Sequence, residues 1–153
     1  MNLNKEGIDL ITSFEKFESK PYQQKGDVPT IGYGNTWYEN GTKVKLTDPA
    51  ITKERATELF KNVVAIFVTQ VKSVVKRELN DNQFSALVSY CYNRGFGKFK
   101  TSDVLNLVNV NPDDPKIQLA FKDVSMTKPQ FQKGILRRRT AESALYFKKW
   151  LKN

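Results

Sequence analysis

The spacing of apolar residues changes near Thr52, and this change determines which fold class the chain can adopt. From there, apolar residues recur at helical spacing for about seven turns, a pattern typical of a long amphipathic helix with Thr52 as its N-cap. The residues of this stripe are Ala56, Leu59, Phe60, Val63, Val64, Phe67, Val71, Val74 and Val75. Residues 17–47 instead hold short apolar runs between turn residues, which favour a small antiparallel sheet. The sequence therefore predicts an α+β protein with segregated elements.

The predicted sheet contains two turns that can be read from the sequence. Asn40-Gly41 is a strong hairpin signal between residues 37–38 and the alternating residues 42–46. The Lys-Gly-Asp sequence at residues 25–27 predicts a second turn, followed by a short strand over residues 28–33. The proline within that strand restricts it to an edge of the sheet.

Helical patterns predict further elements on both sides of the long helix. The first helix has Asn4 as its N-cap and closes at Glu15. Later helices are expected over residues 81–92, over 103–108 with Ser102 as the N-cap, and over 117–121 and 132–151. The 153 residues suffice for one domain with a real core. We expect the first helix at 1–15, a small β lobe at 16–50 and a helical lobe at 51–153. The first helix should pack on the C-terminal helices, with a cleft between the lobes passing Glu15.

Composition excludes several classes of protein. An apolar fraction of 39% with 12% aromatic residues excludes disorder. No apolar run approaches the roughly 18 residues that span a bilayer, and the N-terminus lacks the regions of a signal peptide. The formal charge of +9 favours an anionic partner, which could be a nucleic acid, a membrane surface or a cell-wall polymer.

The chain contains no histidine and a single cysteine, Cys91. The lack of histidine excludes Ser–His and Cys–His catalysis and histidine-ligated metals. Cys91 lies in an apolar helical run, where we expect a buried structural thiol and not a nucleophile. Any catalysis by this chain must therefore use carboxylates and hydroxyls.

Glu15 is the carboxylate whose surroundings in the sequence are unusual. Ile8, Ile11 and Glu15 stand at positions i, i+3 and i+7 and so share one side of the first helix. A carboxylate that continues an apolar stripe is desolvated and can hold a proton near neutral pH. A glycine-rich, hydroxyl-bearing segment follows at residues 30–36, and together these features indicate hydrolysis of a polar polymer. The alternative is a helix-end glutamate capped by a neighbouring arginine.

Several segments, in order along the chain, resemble the phage-type lysozymes, which are endolysin muramidases. They are LITSFE at 10–15, PY at 21–22, VPTIGYGNT at 28–36, ITKERA at 51–56, LNDNQFSALVS at 79–89, NRG at 93–95 and GILRRRTAE at 134–142. The resemblance implies a lysozyme-like α+β fold with a substrate groove between a small β lobe and a helical lobe. It also implies hydrolysis of the β-1,4 bond between N-acetylmuramic acid and N-acetylglucosamine in peptidoglycan, by a monomer without cofactor or metal.

The chain departs from the catalytic set that the resemblance implies. That set is a Glu, an Asp nine residues later and a Thr six residues after that. Glu15 and Thr30 match the first and last positions, but Gln24 occupies the Asp position. Glutamine carries no charge, and the loss of a charge facing an oxocarbenium-like transition state costs several kcal/mol, on the order of a thousandfold in rate.

Three accounts of this departure stay open. In the first, Asp27 moves into the vacant role, since it lies only three residues before Thr30. In the second, Gln24 and Thr30 hold a water molecule while Glu15 works almost alone and slowly. In the third, the protein keeps the fold and the binding groove and has lost activity.

Further residues are candidates for substrate binding. Gly32 and Gly34 would let a sugar approach the backbone closely, or would simply serve a bend. Aromatic side chains suited to stacking on sugar rings are Tyr22, Tyr33, Phe96 and Phe99, of which Phe96 and Phe99 could equally pack in the core. The resemblance implies that an arginine of the last helix pairs with the catalytic Glu, and Arg138 is the candidate.

The leading hypothesis is therefore a cell-wall muramidase that acts on peptidoglycan glycan strands. We expect it to accumulate in the host cytoplasm before release to the wall, without integral membrane contact and without a nucleic-acid partner. The alternative is a catalytically weak or inactive lysozyme-fold module that binds the wall, an idea that rests on Gln24. A basic nucleic-acid binder is a third class, supported by net charge alone.

Overall fold

The computed structural model describes residues 1–24 and 27–150 of the chain. The elements in this part are, in chain order, α1 (Lys5–Phe14), β1 (Glu18–Tyr22), β2 (Thr30–Gly32), α2 (Lys53–Val74), α3 (Asp81–Arg94), α4 (Phe96–Lys100), α5 (Asp103–Val110), α6 (Lys116–Lys122) and α7 (Pro129–Phe147). A small antiparallel sheet precedes a long series of helices, so the predicted α+β class is confirmed. Within the same residues, no helix is both long enough and apolar enough to cross a membrane.

The residues group into two compact units. The β unit consists of Thr12–Ile66, and the helical unit consists of Met1–Ile11 together with Phe67–Asn153. Both divisions fall within helices, the first in α1 and the second in α2. The single domain with sections 1–15, 16–50 and 51–153 stays a prediction.

The sheet of the β unit is shorter than predicted. Strands β1 and β2 are antiparallel, with Tyr22 opposite Thr30 and Glu18 opposite Gly32, and with an irregularity in the register between these pairs. The second strand was expected over residues 28–33 but begins at Thr30, because Pro29 has no N–H to donate to the ladder. The predicted turn at residues 25–27 includes two residues that lie outside the described part of the chain.

The hairpin turn predicted at Asn40-Gly41 is present. The N–H of Tyr38 donates to the carbonyl of Thr42 over 2.8 Å, and Gly41 has a φ of +84° that suits glycine. The two arms are joined by a single bridge, Trp37 to Lys43, and do not form extended strands.

Helix α2 begins where the apolar period changes. The N–H of Arg55 donates to Oγ1 of Thr52 over 3.1 Å, which confirms the predicted N-cap. In the β unit the helix buries its stripe from Ala56 to Val64, and in the helical unit it buries Phe67 and Val71. The helix ends at Val74, one residue before the predicted end of the stripe.

Arg55 also stabilises the β unit by forming an ion pair with the hairpin. Its two terminal nitrogens donate to the two carboxylate oxygens of Glu39 over 2.6 and 2.7 Å, and Asn62 donates to the same carboxylate over 3.1 Å. The guanidinium lowers the pKa of Glu39 from its ordinary 4.5 to about 2. The pair therefore holds the hairpin against α2 within the β unit.

We expect the substitution Glu39→Gln to reduce stability in a pH-dependent way. The folded-state pKa lies below the unfolded one, so the ionised carboxylate stabilises the fold above pH 4.5, and this contribution is lost as the pH falls towards 2. Because Arg55 is partly exposed, solvent screening limits the effect at pH 7 to about 1–2 kcal/mol. Urea unfolding between pH 7 and pH 2 measures it. The control is Glu58→Gln, which meets Arg55 at 3.1 Å with a side chain that is 67% exposed. A deficit in Glu39→Gln that is the same at every pH would contradict the prediction.

Helix α3 lies at the centre of the helical unit. Asn80 and Gln83 form a capping box at its start, and residues 84–92 are buried. The helix continues to Arg94, two residues beyond the predicted end, and stops at Gly95 with a φ of +89°. Cys91 is fully buried, as expected, and burial raises the pKa of its thiol to about 12.

Two helices of this unit differ from the prediction. The short helix α4 was not expected, because glycines at 95 and 97 disfavour a helix, yet it forms around the fully buried Phe99. Helix α7 begins at Pro129 and not at residue 132, since proline suits the first helical position. It ends at Phe147, and the last of the residues predicted for it lies outside the described part. The predicted Ser102 cap of α5 is confirmed by the Leu105 N–H, which donates to its Oγ over 3.2 Å.

The start of α1 packs on α3 within the helical unit. Asn4 is the N-cap, accepting from the Gly7 N–H over 3.0 Å, and its own N–H donates to Oγ of Ser85 over 3.0 Å. A Cβ at Gly7 would lie 2.6 Å from Cβ of Ser85, so this contact requires glycine. As a result the buried side of α1 holds Gly7 and Ile11, whereas Ile8, predicted on the apolar stripe, is 38% exposed.

A buried ionic cluster connects α7 to α3. Glu142 is fully buried and accepts hydrogen bonds from Arg138 Nε (3.3 Å), Arg139 Nη1 and Ser89 Oγ (2.5 Å). Arg139 also stacks on the ring of Tyr90, with its guanidinium carbon 4.5 Å from the ring centroid. The single carboxylate thus faces two buried guanidinium groups.

We expect the substitution Glu142→Gln to destabilise the protein strongly. Glutamine keeps the shape of the side chain but leaves two buried guanidinium groups without their anion, at a cost of about 3–5 kcal/mol. The free energy of unfolding in urea measures this loss. Glu78→Gln, at an exposed position of the same unit, is the control and should change stability by no more than about 0.5 kcal/mol. Equal stability of the two variants would show that the cluster does not contribute as proposed.

Candidate active site

A tight glycine turn follows strand β2 in the β unit. Ile31 and Asn35 exchange two backbone hydrogen bonds of 2.9 Å each, which close a loop of three residues between them. Gly32 and Gly34 have φ values of +66° and +76°, a conformation that side-chain-bearing residues rarely adopt. Both glycines were predicted from the sequence. The burial of Asn35, which is only 3% exposed, was not predicted, because asparagine is usually found at the surface.

The carboxylate of Glu15 lies against this turn. A Cβ built at Gly34 would come within 2.7 Å of Cδ of Glu15 and nearer still to its Oε2. Glu15 is half-buried and stands in a bend directly after α1, which ends one residue earlier than predicted. The structure therefore brings the predicted acid and one of the predicted glycines into direct contact.

Thr30 is buried at the start of β2, with 8% of its surface exposed. Its hydroxyl donates to the carbonyl of Val28 over 3.0 Å. A hydroxyl that donates its one hydrogen in this way presents its lone pairs to any further partner, so it can accept a hydrogen bond from a water molecule. In the register of the sheet it stands opposite Tyr22, and directly opposed residues project to the same face.

Tyr22 lies among three carboxylates. Partial burial raises the pKa of its phenol, and the negative charges of Glu15, Glu18 and Asp27 raise it further. The charges of Glu15 and Asp27 thus act on the same hydroxyl. Glu18 was not predicted from the sequence to belong to this group, although its position only three residues after Glu15 could have indicated it.

Gln24 and Asp27 are both exposed and belong to the same turn. The N–H of Asp27 donates to the carbonyl of Gln24 over 2.9 Å. Oδ1 of Asp27 accepts the N–H of Val28 over 2.9 Å, a local bond that is common for aspartate in turns. Asp27 is thereby held at the entry to β2, close in sequence to Thr30.

Tyr33 belongs to an aromatic cluster of the β unit. Its ring centroid lies 5.8 Å from that of Phe17 and 5.9 Å from that of Phe60. These are favourable distances for aromatic pairs, so the ring contributes to packing. Because Tyr33 keeps an exposed part, its stacking on a sugar stays a prediction.

The two remaining predicted residues, Phe96 and Arg138, lie in the helical unit. Phe96 is partly exposed in α4, with Nζ of Lys100 5.0 Å from its ring centroid. Phe99, the other aromatic candidate there, is fully buried and cannot stack on a sugar. Arg138 is buried and donates to Glu142 and to the carbonyl of Ser89, each over 3.3 Å. Its pairing with Glu15 stays a prediction.

The chemical groups assembled in the β unit are carboxylates, hydroxyls and an amide. Across residues 1–24 and 27–150, no group of three or more Cys, Asp or Glu side chains is arranged to hold a metal ion. A half-buried carboxylate can donate a proton, and a hydroxyl such as that of Thr30 can orient water, so these groups suit acid–base chemistry.

The sequence and the fold both match known proteins. The profile of the phage lysozyme family matches residues 12–142. The endolysin of Bacillus phage B103 is 33% identical over 151 residues, which are 95% of this chain and 54% of that protein, so the chain spans about half the length of this relative. The endolysin of Escherichia coli O157:H7 phage FAHEc1 has a solved structure that superposes with a TM-score of 0.82 at 29% identity, covering 97% of this chain and 94% of that one.

A second solved structure extends the likeness. The muramidase domain of SpmX from Asticaccaulis excentricus superposes with a TM-score of 0.78 at 29% identity and covers 97% of this chain and 99% of that one. The fold is therefore lysozyme-like, and the chain belongs to the phage lysozyme family. The predicted resemblance and fold are both confirmed.

Proposed function

We propose that this protein is an endolysin-type muramidase that hydrolyses the β-1,4 bond between N-acetylmuramic acid and N-acetylglucosamine in peptidoglycan. The observation that carries the proposal is the half-buried Glu15 carboxylate held against the glycine turn that follows Thr30. Family membership and the names of the similar proteins, endolysin and muramidase domain, support the same activity.

Glu15 acts as the general acid in this proposal. Its carboxyl group donates a proton to the glycosidic oxygen as the bond to the anomeric carbon breaks, so the leaving sugar departs as a neutral alcohol. Thr30 accepts a hydrogen bond from the attacking water and so fixes its position.

Asp27 supplies the second carboxylate in the account that we favour. Glycosidases usually require a carboxylate that stabilises or activates what attacks the anomeric carbon, and Gln24 cannot provide the charge. The charge of Asp27 acts on the phenol of Tyr22, as does that of Glu15, which supports a location near the acid. One of its oxygens accepts the Val28 N–H, an arrangement that holds the carboxylate in one orientation. The account in which Gln24 and Thr30 hold the water without Asp27 is the competing one.

Peptidoglycan glycan strands are the proposed partner, bound by a monomer without a cofactor. The wall carries anionic polymers, so the net charge of +9 favours retention on it. Tyr22, Tyr33, Phe96 and Gly32 are proposed to contact the sugars. We propose release from the host cytoplasm to the wall as the route to this substrate. A wall-binding module without activity is the alternative, and the substitution of Asp by Gln24 is the observation that favours it.

The first test is clearing of purified peptidoglycan, followed as loss of turbidity. We expect the wild type to clear the suspension, and Glu15→Gln and Asp27→Asn each to reduce the rate by about a hundredfold or more, since each removes a group used in the transition state. The matched control is Glu18→Gln, which removes an exposed carboxylate from the same group around Tyr22 and should retain activity within about threefold.

The outcomes separate the three accounts. Loss of activity in Glu15→Gln with full activity in Asp27→Asn would favour a lone acid aided by Gln24. A large gain in Gln24→Asp would show that the natural site is weak. A wild type that binds the wall but never clears it would reject the enzyme and leave the binding module.

We expect Thr30 to act through its hydroxyl. Thr30→Ser keeps the hydroxyl and should retain activity within about tenfold, whereas Thr30→Val keeps the shape but loses the acceptor and should fall by about a hundredfold. Initial clearing rates measure the difference, and urea unfolding of both variants corrects for the lost bond to Val28. Equal activity of the two variants would exclude a role for the hydroxyl.

A further inference from the structure

The contact between Gly34 and Glu15 suggests a role for this glycine that differs from contact with sugar. The Cα of Gly34 faces the end of the Glu15 side chain, at the place where any other residue would carry its Cβ. That Cβ would lie 2.7 Å from Cδ and 3.3 Å from Cγ of Glu15, and nearer still to Oε2. Cβ atoms do not approach other atoms at 2.7 Å, so the carboxylate and a side chain at position 34 cannot occupy these places together.

Among the glycines that the structure describes, the others with positive φ do not make such a contact. A Cβ at Gly32 would meet only ordinary contacts of 3.5–3.6 Å, with Asn35, Ile51 and Ala56. A Cβ at Gly41, in the hairpin turn, would meet nothing within 4 Å. A side chain at position 34 would therefore have a second effect besides the strain of a φ of +76°, which is to displace the Glu15 carboxylate.

We propose that Gly34 is a positioning residue for Glu15. Because Gly34 has no Cβ, the carboxyl group packs directly on its Cα, and this contact holds the group in place for proton donation. The proposal rests on the proposed function, because it assumes that Glu15 is the acid. It assigns the glycine to the acid and not to the sugar. The paired hydrogen bonds of Ile31 and Asn35 join the ends of the turn and so fix the position of the Gly34 Cα.

The two roles of Gly34 predict different kinetics. If the glycine only lets a sugar approach the backbone, Gly34→Ala raises the apparent KM and leaves kcat nearly unchanged. If the glycine positions Glu15, Gly34→Ala displaces the carboxyl group by about 1 Å and lowers kcat by about a hundredfold. The KM then stays within about threefold of the wild type. Initial clearing rates over a range of peptidoglycan concentrations distinguish the two.

Backbone strain is controlled with Gly41→Ala. This variant imposes the same kind of strain, at a φ of +84°, in the same unit and without any contact to Glu15. We expect it to keep kcat within about threefold of the wild type. A comparable loss of kcat in both alanine variants would overturn the proposal, because strain alone would then explain the effect.

A double-mutant cycle of thermal stability tests the contact between Gly34 and Glu15 without relying on activity. Thermal unfolding is measured for Gly34→Ala in the wild-type background and in a Glu15→Ala background, where no carboxylate is left to displace. We expect Gly34→Ala to lower the midpoint by roughly 2 °C more in the presence of Glu15 than in its absence, because only then must a carboxylate move. An identical decrease in both backgrounds overturns the proposal.

The failure of this proposal and that of the proposed function are distinguishable. A wild type that never clears peptidoglycan rejects the muramidase, and the assignment of Gly34 to its acid falls with it, whatever the double-mutant cycle gives. A wild type that clears peptidoglycan while Gly34→Ala keeps its kcat rejects only the positioning role. An active wild type, a kcat loss confined to Gly34→Ala and a background-dependent midpoint together support the proposal.

Discussion

The geometry of the β unit depends on one constraint, the closure of a three-residue loop by the paired hydrogen bonds of Ile31 and Asn35. In this reversal two positions have positive φ, and the chain has Gly32 and Gly34 there. The same closure ends β2 and directs the bare Cα of Gly34 towards Glu15. The residues that allow the backbone to reverse are thus also the ones that the Glu15 carboxylate contacts.

In the helical unit, a row of polar residues organises the buried helix α3. Ser85, Ser89 and Asn93 are spaced four residues apart and therefore lie along one side of the helix. Ser85 bonds the cap of α1, Ser89 donates to Glu142, and Asn93 accepts from Arg139. Since a buried polar group is costly unless it is bonded, each of these contacts favours one alignment of α1 or α7 on α3. The apolar residues stabilise the packing of these helices, and the row of polar residues fixes how α1 and α7 align on α3.

The sequence predicted the features that depend on local chemistry. The period of α2, the caps at Thr52 and Ser102, and the turn at Asn40-Gly41 all follow from residue type and spacing, and they are present. The features it missed depend on contacts between distant segments. Ile8 looked like the buried residue of α1, but the close approach of Gly7 to Ser85 turned the other side inward. The same limit applies to the candidate site, where Glu15, Thr30 and the glycines could be chosen from the sequence but the contact of Gly34 with Glu15 could not.

The burial of Cys91 has a practical consequence. Its thiol lies inside α3, fully buried, with a pKa of about 12, and therefore holds almost no reactive thiolate at neutral pH. Because the sequence has no second cysteine, this thiol cannot form a disulfide within the chain. An alkylating reagent can reach this sulfur only when α3 opens. The rate of labelling at this one position therefore reports the opening of the helical core, without any engineered probe.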